Sequence, residues 1–393
     1  MLFPYKLVTI AFYTALPLLF FTACQSASTA TDNRCQFDNV KFDTDFSTSR
    51  LDRCQQLSET RFLLTLSPEN TPINDSAWYA FKLVTESPQE VDIVMEVEGG
   101  KHRYLPKVSR DGEGWSLKEY TLRNQQLKMH FAATDQPIWV AGQEIIDNQD
   151  YLDWGEALLA QGKASHEQLG LSTEQRPIMK LEATRGKEAK EWLLVLGRQH
   201  PPELTGAMAL FPFSEVLLSN TQLAKQFRQR FNIVIIPNLN PDGVEVGNWR
   251  HNANGVDLNR DWGKFEQAET RVVASYLERL VTSGDKIHFA VDFHSTRKDI
   301  FYTMPKDYGL QNPQMAAHWL DDLDSQYAAF KVIQQPGNNP DIGVFKQYIA
   351  DKYRVHAITY EMGDNTDRRF IDNLAINAAN SLMQTMLASK PVE

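Results

Sequence analysis

No basic run occurs in these 393 residues, and the formal net charge is −10; both argue against nucleic acid as a partner. No internal repeat is present, and outside residues 25–34 there is no low-complexity segment. The apolar stretch Leu7–Phe21 is short for a membrane span. His166-Glu167 has no second histidine four residues on, which excludes the helical zinc-protease motif. Cysteine is down to three residues, Cys24, Cys35 and Cys54.

What is present suffices for a packed core: 42% of residues are hydrophobic and 23% charged, and the length allows two domains. Residues 1–23 read as a targeting segment, with Lys6 ahead of the apolar stretch and Phe21-Thr22-Ala23-Cys24 at its end. That ending resembles a bacterial lipobox. The resemblance implies a lipid on Cys24, a membrane anchor and a cell-envelope location. Gln25, where an Asp would signal retention, implies the outer membrane, facing the periplasm. Phe21 departs from the usual aliphatic residue, and an ordinary signal peptide or an uncleaved anchor are the alternatives. With Cys24 lipidated, Cys35 and Cys54 remain as an even pair. They either close a short loop, worth about 3 kcal/mol in the chain-entropy model, or stay as free thiols. Residues 24–34 are small and polar and read as a tether.

Residues 35–136 predict a small all-β sandwich. Ala77–Val84 and the alternating Val91–Val97 read as β segments, and Gly99-Gly100 and Asp111-Gly112 mark turns. No cluster of catalytic residue types lies there, so a structural or substrate-positioning role is expected. Over residues 137–393 the pattern becomes α/β. Trp192–Gly197, Phe231–Ile236, Ile287–Phe293 and Val355–Tyr360 are apolar runs like those of buried parallel strands. Helical stretches accompany them at 148–161, 221–230, 267–281, 314–327 and 371–387. The alternation predicts a mostly parallel mixed sheet flanked by helices.

Polar residues fall at the carboxyl ends of these strands, where sites in such sheets lie. His200 and Glu203 follow the strand ending at Gly197, His294 follows Phe293, and Glu361 follows Tyr360. Two His and one Glu can hold zinc and leave a coordination position open for water. Glu361 can move protons, Arg250 can face a developing oxyanion, and Asn259-Arg260 can clamp a carboxylate through the planar guanidinium fork. Taken singly, His-x-x-Glu is a weak signal and Asn-Arg fits a plain turn. Arg297 and Lys298 stay open between substrate contact and surface. Trp249 and Trp262 read as packing residues; His102, His130, His251, His288, His318 and His356 read as surface or core without a role.

With their flanks, these residues resemble the zinc metallocarboxypeptidases of the carboxypeptidase A type. Arg198-Gln199-His200-Pro201-Pro202-Glu203 is similar to the first zinc motif of that family. Pro237–Asp242, Gly243–Arg250, Gly255–Arg260 and Asp292–Phe301 look like the cytosolic carboxypeptidase branch, which trims glutamates from protein tails and also carries a preceding β-sandwich. The resemblance implies one zinc ion per chain, held by His200, Glu203 and His294. It implies Glu361 as general base and acid, Arg250 on the scissile carbonyl, Asn259 and Arg260 on the terminal carboxylate, and Asp257 orienting the first His ligand. Tyr348 and Tyr353 are both available for the tyrosine that closes over the substrate. Counting back from Glu361, Lys346 falls near a basic residue of the glutamate-trimming branch, which implies a preference for acidic side chains. The expected activity is hydrolysis of the C-terminal peptide bond of peptides or proteins. The alternatives are the same chemistry on cell-wall peptides, and a non-catalytic protein that holds peptide ends.

Overall fold

The protein, seen in a computed structural model, is described over residues 35–184 and 189–392; Cys24, the apolar segment before it and the tether lie outside the described residues. Ten strands occupy residues 40–141: β1 (Val40–Asp43), β2 (Arg53–Gln56), β3 (Arg61–Leu66), β4 (Ala80–Thr85), β5 (Gln89–Val97), β6 (Lys107–Ser109), β7 (Ser116–Leu117), β8 (Thr121–Arg123), β9 (Gln126–Ala133) and β10 (Ile138–Ala141). They form two five-stranded sheets, β1-β4-β10-β6-β7 and β2-β3-β5-β9-β8. β9 shows the cause. Leu127, Met129, Phe131 and Ala133 are buried while Lys128, His130 and Ala132 are exposed, so the period of two turns one face onto a core shared with Phe62, Leu64 and Phe81. Cys35 and Cys54 are disulfide-bonded, 19 residues apart in sequence. Ile138 of β10 stands opposite Leu83 of β4, so the sandwich continues to Ala141 instead of ending at 136. The polar residues Asp135-Gln136-Pro137 join two of its strands and do not mark a border.

Eight more strands build one sheet: β11 (Ser165–Leu171), β12 (Pro177–Ala183), β13 (Glu191–Gly197), β14 (Phe231–Ile236), β15 (Lys286–Thr296), β16 (Ile300–Thr303), β17 (Gln334–Pro336) and β18 (His356–Gly363), in the order β11-β12-β14-β13-β15-β18-β16-β17. β14-β13-β15-β18 are parallel, and antiparallel pairs flank them. The helices are α1 (Asn148–Ala160), α2 (Leu204–Leu217), α3 (Gln222–Arg230), α4 (Pro241–Glu245), α5 (Ala268–Thr282), α6 (Met315–Ser325), α7 (Phe345–Tyr353) and α8 (Arg368–Ala388). β13 and β14 are buried at every residue because helices cover both sheet faces. Leu193 and Val195 pack with Phe213, Phe227, Trp319 and Leu382 of α2, α3, α6 and α8. Leu194 and Leu196 point the other way, to Leu277 of α5 and Ile349 of α7. No helix among the described residues is long and apolar enough to cross a membrane. The chain visits β13, then β14 on one side of it, then β15 on the other. That reversal opens a crevice beyond the carboxyl ends of β13 and β15.

Candidate metal centre and active site

Just past β13, Arg198 takes a left-handed backbone conformation, φ 51°. Its buried guanidinium holds the turn together. Nε donates to Pro201 O (2.7 Å), Nη1 to Tyr151 Oη (2.8 Å) and Nη2 to Ile146 O (3.1 Å), which over-determines an otherwise costly geometry. The turn delivers His200, and Pro201-Pro202 lead to Glu203 at the start of α2. Glu203 occupies the N-cap, yet its side chain caps nothing. Its carboxylate instead lies 2.9 Å from His200 Nδ1 and 2.8 Å from His294 Nδ1, and accepts from Ser295 N (3.1 Å). Gly206 makes this approach possible: a Cβ there would stand 2.5 Å from His294 O. The ligand atoms of His200, Glu203 and His294 all lie within 4.8 Å of one another.

Each imidazole turns its other nitrogen to a carboxylate. His200 Nε2 is 2.9 Å from Asp257 Oδ1, and His294 Nε2 is 2.8 Å from Asp292 Oδ2. Asp257 also accepts from Arg250 Nε (2.7 Å) and Asn259 N (2.9 Å). Asp292 accepts from Gln199 Nε2 (2.7 Å), whose Oε1 takes the indole N–H of Trp262 (2.9 Å). Such outer carboxylates fix ring orientation and tautomer at metal sites. Sequence reasoning singled out Asp257 but missed Asp292. The available signal was its place two residues before His294 on one strand, hence on the same face. Burial opposes charge on Glu203, but His200 and His294 hold its carboxyl well below the usual range. Burial likewise opposes charge on His294, while Asp292 and Glu203 raise its pKa well above the ordinary value. Two imidazoles and one carboxylate, backed by two further acids, suit a zinc dication. Three protein donors leave the fourth tetrahedral position to a non-protein ligand.

Glu361 stands opposite His294 in the parallel β15–β18 ladder, so both side chains rise from one sheet face. Its Oε2 is buried without a hydrogen-bond partner. Burial and repulsion from Glu203 push the carboxyl up to about 8, against the pull of His294, Arg103 and Arg250. A carboxyl poised near neutrality can take a proton and return it. Arg250 is buried, with Nη1 3.9 Å from Glu203 Oε1. Asn259 Oδ1 accepts from Phe345 N at the start of α7 (2.9 Å). Arg260 is exposed, its Nη1 tethered to Asn259 O (2.6 Å). Lys346 is buried on α7; its ammonium donates to the carbonyls of Gly337 (2.6 Å) and Thr303 (3.0 Å) beside Met304 Sδ (3.3 Å). Burial alone lowers its pKa to about 8. Arg297 and Lys298 are exposed just past β15.

The two candidate lid tyrosines are committed elsewhere. Tyr348 stacks on Trp262 (ring centroids 5.7 Å apart), meets Phe265 edge-on (5.1 Å) and has its hydroxyl 3.3 Å from that of Tyr353. Both are half-buried and pack against the core cluster that contains Phe345 and Ile349 of α7. Tyr302, which the sequence did not single out, lies on β16 opposite Thr359 and shares the face of Glu361. Burial and then the charge of Glu361 raise its hydroxyl pKa. Trp249 and Trp262 are buried packing residues.

The family model for zinc carboxypeptidases matches residues 154–380. The chain belongs to the zinc carboxypeptidase family. The cofactor of this family is one zinc ion, and in this member His200, Glu203 and His294 are the residues placed to hold it. Among curated relatives, cytosolic carboxypeptidase 2 of Danio rerio is 43% identical over 120 residues, 29% of this chain and 16% of that protein. An uncharacterised protein of Zymomonas mobilis is 25% identical over 224 residues, 55% of this chain and 58% of its own. The chain thus spans little more than half of one such relative and far less of the other. Solved structures share the zinc carboxypeptidase fold over nearly their whole length. The metallo-carboxypeptidase of Burkholderia cenocepacia has a TM-score of 0.76 at 17% identity, covering 88% of this chain and 99% of that one. That of Pseudomonas aeruginosa, in complex with (2-guanidinoethylmercapto)succinic acid, has a TM-score of 0.70 at 19% identity, covering 88% and 98%.

Proposed function

We propose that this family member removes the C-terminal residue of peptides or proteins and prefers an acidic one. One juxtaposition carries the reading: the unpartnered carboxyl of Glu361 beside the clustered donors of His200, Glu203 and His294. Zinc, when bound, supplies a Lewis acid for the scissile carbonyl and lowers the pKa of water. Glu361 accepts the proton of the attacking water and passes it to the leaving amine. Arg250, braced by Asp257, faces the oxygen on which negative charge develops. Asn259 and Arg260 bind the free carboxylate, which limits cleavage to the last residue. Lys346 follows Phe345, whose backbone Asn259 holds, and among the described residues its buried ammonium has two carbonyls and a thioether as partners and no carboxylate. An acidic side chain complements that charge.

A second reading keeps the chemistry and changes the substrate to cell-wall peptides; the lipobox-like ending at Cys24, with the envelope location it implies, favours it. The deciding experiment is mass spectrometry of peptides with Glu, Leu or Lys ends, and of muropeptides, incubated with zinc-loaded wild type, Glu361→Gln and Lys346→Ala. Loss of one terminal residue by the wild type and not by Glu361→Gln is expected, fastest on Glu ends. Cleavage of muropeptides alone would move the substrate to the cell wall. Bound zinc without turnover on any member would reject the peptidase reading in favour of a protein that holds peptide ends. An unchanged Glu-to-Leu ratio in Lys346→Ala would reject the role of Lys346.

A further inference from the structure

The loop that carries Arg250 is held from the β-sandwich, 180 residues earlier in sequence. Glu69 lies just beyond β3, and its carboxylate accepts from three consecutive backbone N–H groups. Trp249 N donates to Oε2 (2.9 Å), and Arg250 N (2.9 Å) and His251 N (2.8 Å) donate to Oε1. Asn70, beside it, donates through Nδ2 to Gly255 O (2.8 Å) and meets His251 Nδ1 through Oδ1. The ring of Trp249 is fully buried within the core cluster of the sandwich; a Cβ on Gly100 would lie 3.2 Å from it. Arg250 therefore has its backbone and its preceding side chain fixed by the sandwich, while its guanidinium reaches Asp257 and Glu203 in the α/β layer.

We infer that Glu69 is a positioning residue for Arg250, so that the sandwich sets where the oxyanion-facing guanidinium stands. Three N–H groups converging on one carboxylate define both the place and the tilt of the loop. The converging donors, with the His251 ring 3.4 Å from Oε1, keep the carboxylate ionised against the cost of burial. A neutral amide at position 69 keeps the shape but turns an NH2 toward N–H donors, so the loop must shift, and the guanidinium with it. Misplacement by an ångström is enough to weaken transition-state contacts. The inference rests on the peptidase reading above.

The test compares zinc-loaded full-length wild type, Glu69→Gln, Glu69→Asp, Arg250→Ala and the double variant Glu69→Gln/Arg250→Ala. Terminal-residue release from a Glu-ending peptide, zinc stoichiometry and crystal structures are the readouts. In Glu69→Gln, kcat should fall about tenfold to a hundredfold with KM within about twofold, zinc stoichiometry should be unchanged, and the Arg250–Asp257 contact should lengthen. Adding Glu69→Gln to Arg250→Ala should cost nothing further. Glu69→Asp, which keeps the charge and shortens the reach, should recover part of the loss and serves as the test if the amide variant does not fold. Unchanged kcat, or a loss that recurs in full in the Arg250→Ala background, would overturn the inference. A wild type without turnover would sink the peptidase reading alone; the positioning role would then be decided by the crystal structures, where an unmoved Arg250 rejects it.

Discussion

The outer nitrogens of His200 and His294, the histidines placed to hold zinc, govern how firmly a cation would be held. Asp257 and Asp292 do this work from different sides, and only Asp257 also braces Arg250. Asp292→Asn should therefore weaken zinc binding about 10- to 100-fold, read by chelator competition, while zinc-saturated kcat falls less than in Asp257→Asn. Asp257 was legible through the resemblance of Gly255–Arg260 to the zinc carboxypeptidase motif. Asp292 sits in a buried strand, and its cue, the two-residue spacing to His294 on one face, went unused. Lys346 gives a pH prediction. Burial lowers its pKa to about 8, so its charge is present below that value and lost above it. The preference for Glu over Leu ends should decline as pH rises through about 8, and Lys346→Ala should show no such decline. The sequence left Tyr348 and Tyr353 open as lid tyrosines because it showed no helix at 345–353; the fold places both on or at the end of α7, half-buried and packed together.

Among elements, the four parallel strands were legible because burial on both faces writes them as mostly apolar runs with few polar interruptions. The flanking strands were not. β11 reads Ser-His-Glu-Gln-Leu-Gly-Leu with no buried residue, and β17 is the three residues Gln-Gln-Pro. α2 was missed for a different reason: it is buried on nearly all sides and contains Pro212, so it lacks both polar periodicity and a clean helical composition. α7 hides behind Lys346 and Gln347, polar residues that the fold buries. Yet α2 does the closest work, because Gly206 lets its first turn touch the backbone of His294. Gly206→Ala should push α2 off β15, costing about 1–3 kcal/mol and lowering zinc stoichiometry. Thermal melts and metal analysis of the purified variant check both.

For the whole molecule, the sandwich and the α/β layer pack as one compact unit. Besides Glu69, the sandwich sends Arg103 across. Its guanidinium grips Asp364 through Nε (2.8 Å) and Nη2 (2.9 Å) and Ser295 O (2.8 Å), tying together the ends of the strands that bear His294 and Glu361. The joint has a pH signature. The carboxyl of Glu69 is buried, yet its bonds to His251 and to the backbone of Trp249 and His251 hold it at about 2, down from 4.5. A carboxyl depressed on folding stabilises fully above the unfolded value, and that stability drains away as pH falls from about 4.5 to about 2, here about 3 kcal/mol. The gap in melting temperature between wild type and Glu69→Gln should therefore be widest above pH 5 and close toward pH 2. The sequence betrayed the α/β architecture and the three donors that the fold brings together, His200, Glu203 and His294, but this joint was illegible, since a lone Glu-Asn after a strand carries no hint of a partner 180 residues on. The same wide spacing imposes an order in time. His200, Arg250, His294 and Glu361 meet only when the last strand, β18, has joined the sheet and the sandwich has seated the loop of Arg250. On the proposed reading, a copy in which β18 has not yet joined the sheet lacks Glu361 beside the candidate metal donors and is inert toward the chain ends of its neighbours.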